Sequence, residues 1–148
     1  MEFVELDLEG LQVLEEWFKD PEVLKRLTGK QPLRQWFQNV QQSSNYWAWM
    51  VTQEGQPVGQ IAIEIYSDRT AALSLLTHPQ LRSQGYGKRM LEQLLLRPEL
   101  AEAVSIKANI EPDNIASVKC FTKAGFTEQG TDEYGYLVFT YSLKVECG

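Results

Sequence analysis

Leu75-Leu-Thr-His-Pro-Gln-Leu-Arg-Ser-Gln-Gly-Tyr-Gly-Lys-Arg-Met90 decides the reading of this sequence. An apolar run closes on a glycine-bearing loop that opens directly into a helix. The run Thr70 to Thr77 has the composition of a central strand covered on both faces. The helix starts at about Tyr86, buries Met90, Leu91, Leu94 and Leu95, and ends before Pro98. A loop of this kind gathers unpaired backbone N–H groups at the positive end of a helix dipole, an environment that favours phosphate oxygens. Gly85 and Gly87 carry no side chain to hold a pyrophosphate away, and Arg82 and Lys88 add positive charge. The segment is not a Walker loop, since Lys88 is followed by Arg89 and the glycines stand two apart. Nor is it a dinucleotide fingerprint, which needs three glycines early in a βαβ unit. Spacing alone leaves a pyrophosphate cradle over Ser83, Gln84, Gly85, Tyr86, Gly87 and Lys88 and a purely structural turn both open.

Upstream of this segment, Phe3 to Leu8 alternates as a strand ended by Gly10. Leu11, Val13, Leu14, Trp17 and Phe18 recur at helical spacing, and Asp20-Pro21 breaks the helix and restarts it as a short one, Glu22 to Leu27, stopped by Gly29. Pro32 to Gln42 forms a further amphipathic piece. Tyr46 to Thr52 and Pro57 to Tyr66 make a hairpin about Gln53-Glu-Gly-Gln56. Downstream, Ala103 to Ile110 is a strand, and Asp113 is in position to cap a helix that runs to Ala124 with Gly125 at its C′ position. Phe126 to Thr131 and Tyr136 to Leu143 close the pattern around the turn Asp132-Glu-Tyr-Gly135. The expected fold is mixed α/β: one domain over residues 1–148, with a central, mostly antiparallel sheet and helices on both faces, in the order β-α-α-β-β-β-α-β-α-β-β.

Composition narrows the function. The 148 residues are 43% hydrophobic, 23% charged and 11% aromatic, the balance of a globular chain with a core. The net charge of −6 disfavours nucleic acid, which needs a clustered basic surface. No apolar run approaches the roughly 20 residues that span a bilayer, and the acidic start is unlike a signal peptide, so no membrane partner and a cytoplasmic location are expected. Cys120 and Cys147 are too few for a disulfide framework. His78 is the only histidine, so no metal site and no Ser-His-Asp triad built on another histidine is expected. Between Glu22 and Glu54 there is no acid, while Lys25, Arg26, Lys30 and Arg34 fall in that gap, either as a solvated helical face or as part of a binding surface.

Arg82-Ser-Gln-Gly-Tyr-Gly87 resembles the pyrophosphate loop, Arg/Gln-x-x-Gly-x-Gly/Ala, of the GCN5-related N-acetyltransferases. Glu111 to Phe126 resembles the same family's Asn-centred helix that ends in Gly-Phe. Trp17, Asp20-Pro21 and Val23 look like the subgroup with aminoglycoside 6′-N-acetyltransferases and ribosomal-protein acetyltransferases. The resemblance implies a fold of that family and an acetyl-CoA-dependent N-acetyltransferase that needs no metal, with a small amine or a protein amino group as acceptor. It implies that the backbone of Leu75, Leu76 and Thr77 pairs with the pantetheine arm, with the Leu76 amide facing the thioester carbonyl. Arg82 and Ser83 to Lys88 would hold the pyrophosphate, and Asn114 would hydrogen-bond the pantetheine, its other reading being a helix cap.

Relatives often carry an acidic base and a tyrosine acid where this chain has Asn109 and Phe121, neither of which titrates near neutral pH. Asn109 is then expected to orient a water or the amine. Phe121 either packs on the thioester arm or belongs to the core. Replacement candidates are Glu111 and Asp113 on the turn after the strand, Glu64 on the hairpin, and Glu133 and Tyr134 in the last turn, with Tyr134 as candidate acid. A CoA-binding module that has lost catalysis is the alternative function. The closing strands and the aromatic hairpin could also support a homodimer.

Overall fold

In the computed structural model, which describes residues 1–27, 30 and 32–143, the chain alternates between one sheet and two helical layers. The elements are β1 (Glu2–Glu5), α1 (Leu8–Trp17), α2 (Pro21–Arg26), α3 (Leu33–Gln42), β2 (Tyr46–Gln53), β3 (Gln56–Ile65), β4 (Thr70–Thr77), α4 (Tyr86–Leu94), β5 (Ser105–Ile110), α5 (Ile115–Lys123), β6 (Thr127–Thr131) and β7 (Leu137–Ser142). The mixed α/β architecture agrees with the sequence reading. Its count of two early helices becomes three, because the amphipathic piece from Pro32 is a full helix that buries Leu33, Trp36, Phe37 and Val40. Gly29 and Cys147 lie outside the described residues.

Two boundaries move for reasons of capping. Gly10 does not end the first strand; it sits inside α1, because the Asp7 carboxylate accepts the Gly10 N–H at 2.8 Å and starts the helix earlier. Asp113 does not cap α5. Asn114 does, accepting the Ser117 N–H at 3.3 Å, while Asp113 is drawn to Arg26. Asp20 caps α2 as the Asp-Pro pair suggests, accepting from the N–H groups of Glu22 and Val23.

The sheet runs β1-β2-β3-β4-β5-β7-β6, and every neighbouring pair is antiparallel except β4 with β5. Alternation sends successive residues to opposite faces. On one face Ile61, Ile63, Leu73 and Ile106 meet Met90, Leu91 and Leu94 of α4 and Phe121 of α5. On the other, Ala48, Met50, Ala62 and Leu76 meet Leu11, Leu14, Trp17, Val23, Trp36 and Phe37 of α1 to α3.

Close approach between β3 and α4 depends on Gly59. A Cβ there would collide with the Met90 sulfur and stand 2.8 Å from the Leu76 carbonyl oxygen, which is backbone and cannot step aside. Gly59→Ala is expected to destabilise the fold by about 2 kcal/mol, read as a lower urea midpoint at unchanged m-value.

Candidate active site

Strands β4 and β5 pair only from Thr70 with Ser105 to Ala72 with Lys107. Beyond that point β4 continues to Thr77 and β5 to Ile110 without a shared register, so the sheet is split at its centre. The far edge of β4 is thereby left open over Leu73 to Thr77.

Which amides face that opening follows from the β3–β4 ladder. The His78 N–H donates to the Val58 carbonyl at 2.9 Å and the Tyr66 N–H to the Thr70 carbonyl at 3.0 Å. Both pairs extend the register that joins Gln60 to Leu76, Ala62 to Ser74 and Glu64 to Ala72. Hydrogen-bonded pairs alternate along an antiparallel ladder, so these pairs exchange both bonds within the sheet. The expectation for Leu76 is corrected accordingly. Its amide points into β3, and the groups that face the opening belong to Leu73, Leu75 and Thr77. The parity along β4 is set by its partner strand β3 and is not legible in β4 alone.

At the end of β4 the loop turns through two left-handed residues, Ser83 at φ 63° and Gly85 at φ 83°. Gly85 is the N-cap of α4, and a Cβ built on it would meet nothing within 4 Å. The α4 N-terminus therefore opens onto free space, with Ser83, Gln84 and Lys88 exposed around it and Tyr86 half-buried. Gly87 serves a different purpose from Gly85. Its Cβ would lie 2.8 Å from the Cys120 sulfur, so it lets α4 and α5 pack closely, and burial raises the Cys120 thiol above its usual range. Lys88 pairs loosely with Glu92 at 3.6 Å. Arg82 is committed to Asp20 at 2.7 Å, and that bond is the main reason the Asp20 carboxyl is held below its ordinary range. His78 accepts from the Gln80 N–H and stacks on Trp17 at 4.9 Å, a capping role.

Across the opening, Asn109 is exposed on β5 and donates its Nδ2 to Asp132 at 2.7 Å. Asp132 in turn accepts from the amides of Tyr134 and Tyr136, both at 2.9 Å. Partial desolvation works to raise the Asp132 carboxyl, but the two amides and Asn109 outweigh it and hold it below its usual range. With Nδ2 committed to a carboxylate, the carbonyl oxygen of Asn109 is its remaining acceptor. Beside it a cavity of about 330 Å³ is lined by Tyr66, Asp68, Thr70, Ala72, Lys107 and Asn109. A larger hollow of about 480 Å³ lies at the β1–β2 side of the sheet and touches none of the motif residues.

The other candidates separate clearly. Glu111 is half-buried and lies 3.4 Å from the Arg26 guanidinium, which also holds Asp113 at 2.6 Å and Glu22 at 2.8 Å. Phe121 is 4% exposed and packs edge-on against Phe126 at 5.0 Å, so of its two readings it takes the core one and does not line the open edge. Tyr134 is 78% exposed at the tip of the β6–β7 turn. Glu64 is half-buried and accepts from the Tyr66 hydroxyl at 3.1 Å. Asn114 serves as the α5 cap. Among the described residues no group of three or more His, Cys, Asp or Glu side chains could hold a metal ion. No described helix is long and apolar enough to cross a membrane.

Sequence reasoning missed Asp132 and Arg26 as site-shaping groups. Asp at the head of Asp-Glu-Tyr-Gly is a legible turn signal, but its contact with Asn109, 23 residues away, is not.

Residues 2–127 match the model of the Acetyltransferase (GNAT) domain family, and the chain belongs to that family. It is 34% identical over 129 residues to the uncharacterised N-acetyltransferase YfmK of Bacillus subtilis (strain 168), a match that covers 86% of each protein. Among solved structures it is similar to aminoglycoside acetyltransferase AAC(6′)-Ib in complex with paromomycin and acetyl-CoA, with a TM-score of 0.81 and 18% identity over 95% of this chain and 92% of that one. It is also similar to the N-acetyltransferase PseH of Campylobacter jejuni in complex with acetyl-CoA, with a TM-score of 0.74 and 16% identity over 97% and 99% of the two chains.

Proposed function

We propose that residues 1–148 act as one cytoplasmic N-acetyltransferase domain that moves an acetyl group from acetyl-CoA to a primary amine by direct attack. The observation that carries this reading is the open edge of β4 from Leu73 to Thr77, which leads into the α4 N-terminus at Gly85. The amides of Leu75 and Thr77 pair with the pantetheine arm, and Leu75 or Thr77 offers its N–H to the thioester oxygen. Arg82, Ser83, Gln84, Gly85, Tyr86, Gly87 and Lys88 hold or border the pyrophosphate, the α4 dipole adding to their charge. Asn114, the N-cap of α5, hydrogen-bonds the pantetheine in this reading.

The acceptor enters over the cavity beside Asn109. An amine with a pKa near 10.4 is neutral in only about one molecule in 10³ at pH 7.5, so the site must favour the neutral form. Asp132, held below the usual carboxylate range, is a weak base for that purpose. Its bond to Asn109 instead fixes the amide so that Oδ1 accepts an amine N–H and aims the lone pair at the thioester carbon. Asn109→Ala is expected to lower kcat by about tenfold or more while CoA affinity stays constant. Unchanged turnover would remove Asn109 from the site.

Calorimetry with acetyl-CoA and CoA, followed by thiol release over a panel of amines, tests the proposal. Micromolar binding with release supports it. Asn109 and Phe121, which carry no titratable group, favour a second reading as a CoA-binding module. That reading expects binding without release over the whole panel. Absence of binding overturns both.

A further inference from the structure

The basic stretch from Lys25 to Arg34 divides into two kinds of cation. Lys25 is 3.4 Å from Asp113, Arg26 holds Glu22, Glu111 and Asp113, and Arg34 is 3.1 Å from Glu15. Lys30 alone of the four has no carboxylate among the described residues. Yet it is the most enclosed of them, at 9% exposure, between the sheet and the α3 layer. Its Nζ donates to the Gln60 side-chain oxygen at 3.2 Å and lies 4.3 Å from the centre of the Trp36 ring. Gln60 is 1% exposed, and its Nε2 has no hydrogen-bond partner among the described residues.

This pair therefore offers only donors: the remaining N–H bonds of Lys30 and both of the Gln60 amide. Buried donors without acceptors are costly, and a buried ammonium without a counter-ion more so. The neutral oxygen of Gln60 and the ring of Trp36 meet part of that need. An anion would meet the rest.

The location points to the reaction. Gln60 is paired in register with Leu76, so both side chains project from the same face of adjacent strands, roughly 5 Å apart. Leu76 stands between Leu75 and Thr77, whose amides face the open edge. The donor pair is thus one strand away from the reacting end of the proposed cosubstrate.

Resting on the acetyltransferase reading above, we propose that Lys30 and Gln60 form a carboxylate-recognition subsite, which takes a carboxylate carried by the acceptor amine or by the acyl group. A carboxylate seated beside Lys30 draws a proton onto its amine, and the resulting ammonium supplies the charge, the Gln60 amide the second hydrogen bond, and the Trp36 ring the floor.

Two matched pairs distinguish the two sources: lysine against cadaverine with acetyl-CoA, and succinyl-CoA against acetyl-CoA with cadaverine. In the wild-type enzyme one pair is expected to show at least a tenfold higher kcat/KM for the carboxylate-bearing member, and Lys30→Met to bring that ratio close to one. Gln60→Glu, which places an internal carboxylate beside Lys30, should keep the fold, checked by thermal melting, and reverse the preference. Enzyme that binds CoA and acetylates cadaverine but shows ratios near one in both pairs overturns the subsite alone. A preference that survives in Lys30→Met also overturns it. Failure to bind CoA removes the acetyltransferase reading and the subsite with it.

Discussion

Lys30→Met is expected to stabilise the protein at pH 6 and to leave its stability nearly unchanged at pH 10. Burial lowers the Lys30 amine from its ordinary 10.5 to about 7. Between those values the folded chain has released the proton and the unfolded chain still holds it, so the unfolded state binds more protons and wild-type stability rises with pH. Read downward, that contribution is lost progressively as pH falls from about 10.5 to about 7, and below 7 the full penalty of a buried ammonium remains. Methionine has similar length and no charge, so it removes the penalty, for a gain of roughly 2–4 kcal/mol at pH 6. At pH 10 the folded amine is neutral and the unfolded one still largely protonated, so only about 1 kcal/mol of the penalty is left. The variant then loses the bond to Gln60 and leaves that oxygen unpaired, a cost of about 1 kcal/mol. Urea unfolding at pH 6, 8 and 10 checks this. A difference between the two proteins that does not change with pH would show that Lys30 keeps its proton throughout, with an acceptor beside it.

Gly85→Glu is expected to cost at least a hundredfold in CoA affinity. The position is left-handed, so any side chain pays about 1 kcal/mol in backbone strain. Since a Cβ there meets nothing within 4 Å, the side chain would extend into the space in front of the α4 N-terminus. A carboxylate in that space takes the dipole and the free amides for itself and repels phosphate. Gly85→Ala separates strain from charge, because it carries the first and not the second; its affinity should stay within a few-fold of wild type. Calorimetry of both variants, with melting temperatures as a check on folding, reads the difference. Wild-type affinity in Gly85→Glu would show that phosphate binds elsewhere.

The parts of this protein that were legible in its sequence are those set by neighbours in the chain. The apolar run into Arg82 to Gly87, the helical spacing of Met90, Leu91 and Leu94, the Asp20-Pro21 restart and the hairpin all express local rules. The family motifs carried the fold further than periodicity could. What failed was set across strands or between layers. That Leu75 and Thr77 rather than Leu76 turn their amides to the open edge depends on β3, which is not visible from β4 alone. The position of Phe121 on α5 does not say that Phe126 and Phe139 close around it. Asp113 lost the cap to Asn114 because Arg26, 87 residues earlier, competes for it. Lys30 looked like one basic residue among four until burial and the pairing of the other three set it apart.

The gap between β4 and β5 also bears on colloidal behaviour. Three residues of β4, Leu73, Leu75 and Thr77, present backbone donors and acceptors with no partner strand among the described residues, in a chain whose apolar side chains flank them. A bare strand edge is a template for foreign strands and for copies of the same chain. Helix α2 is stitched to both lips of the gap, by Asp20 to Arg82 on one and by Arg26 to Glu111 and Asp113 on the other, and so obstructs such additions. Those stitches are exposed or half-exposed ion pairs and weaken with salt. A ligand lying along β4, as proposed above, would cover the same edge, so occupancy is expected to protect against self-association, and the empty protein in high salt is expected to precipitate first.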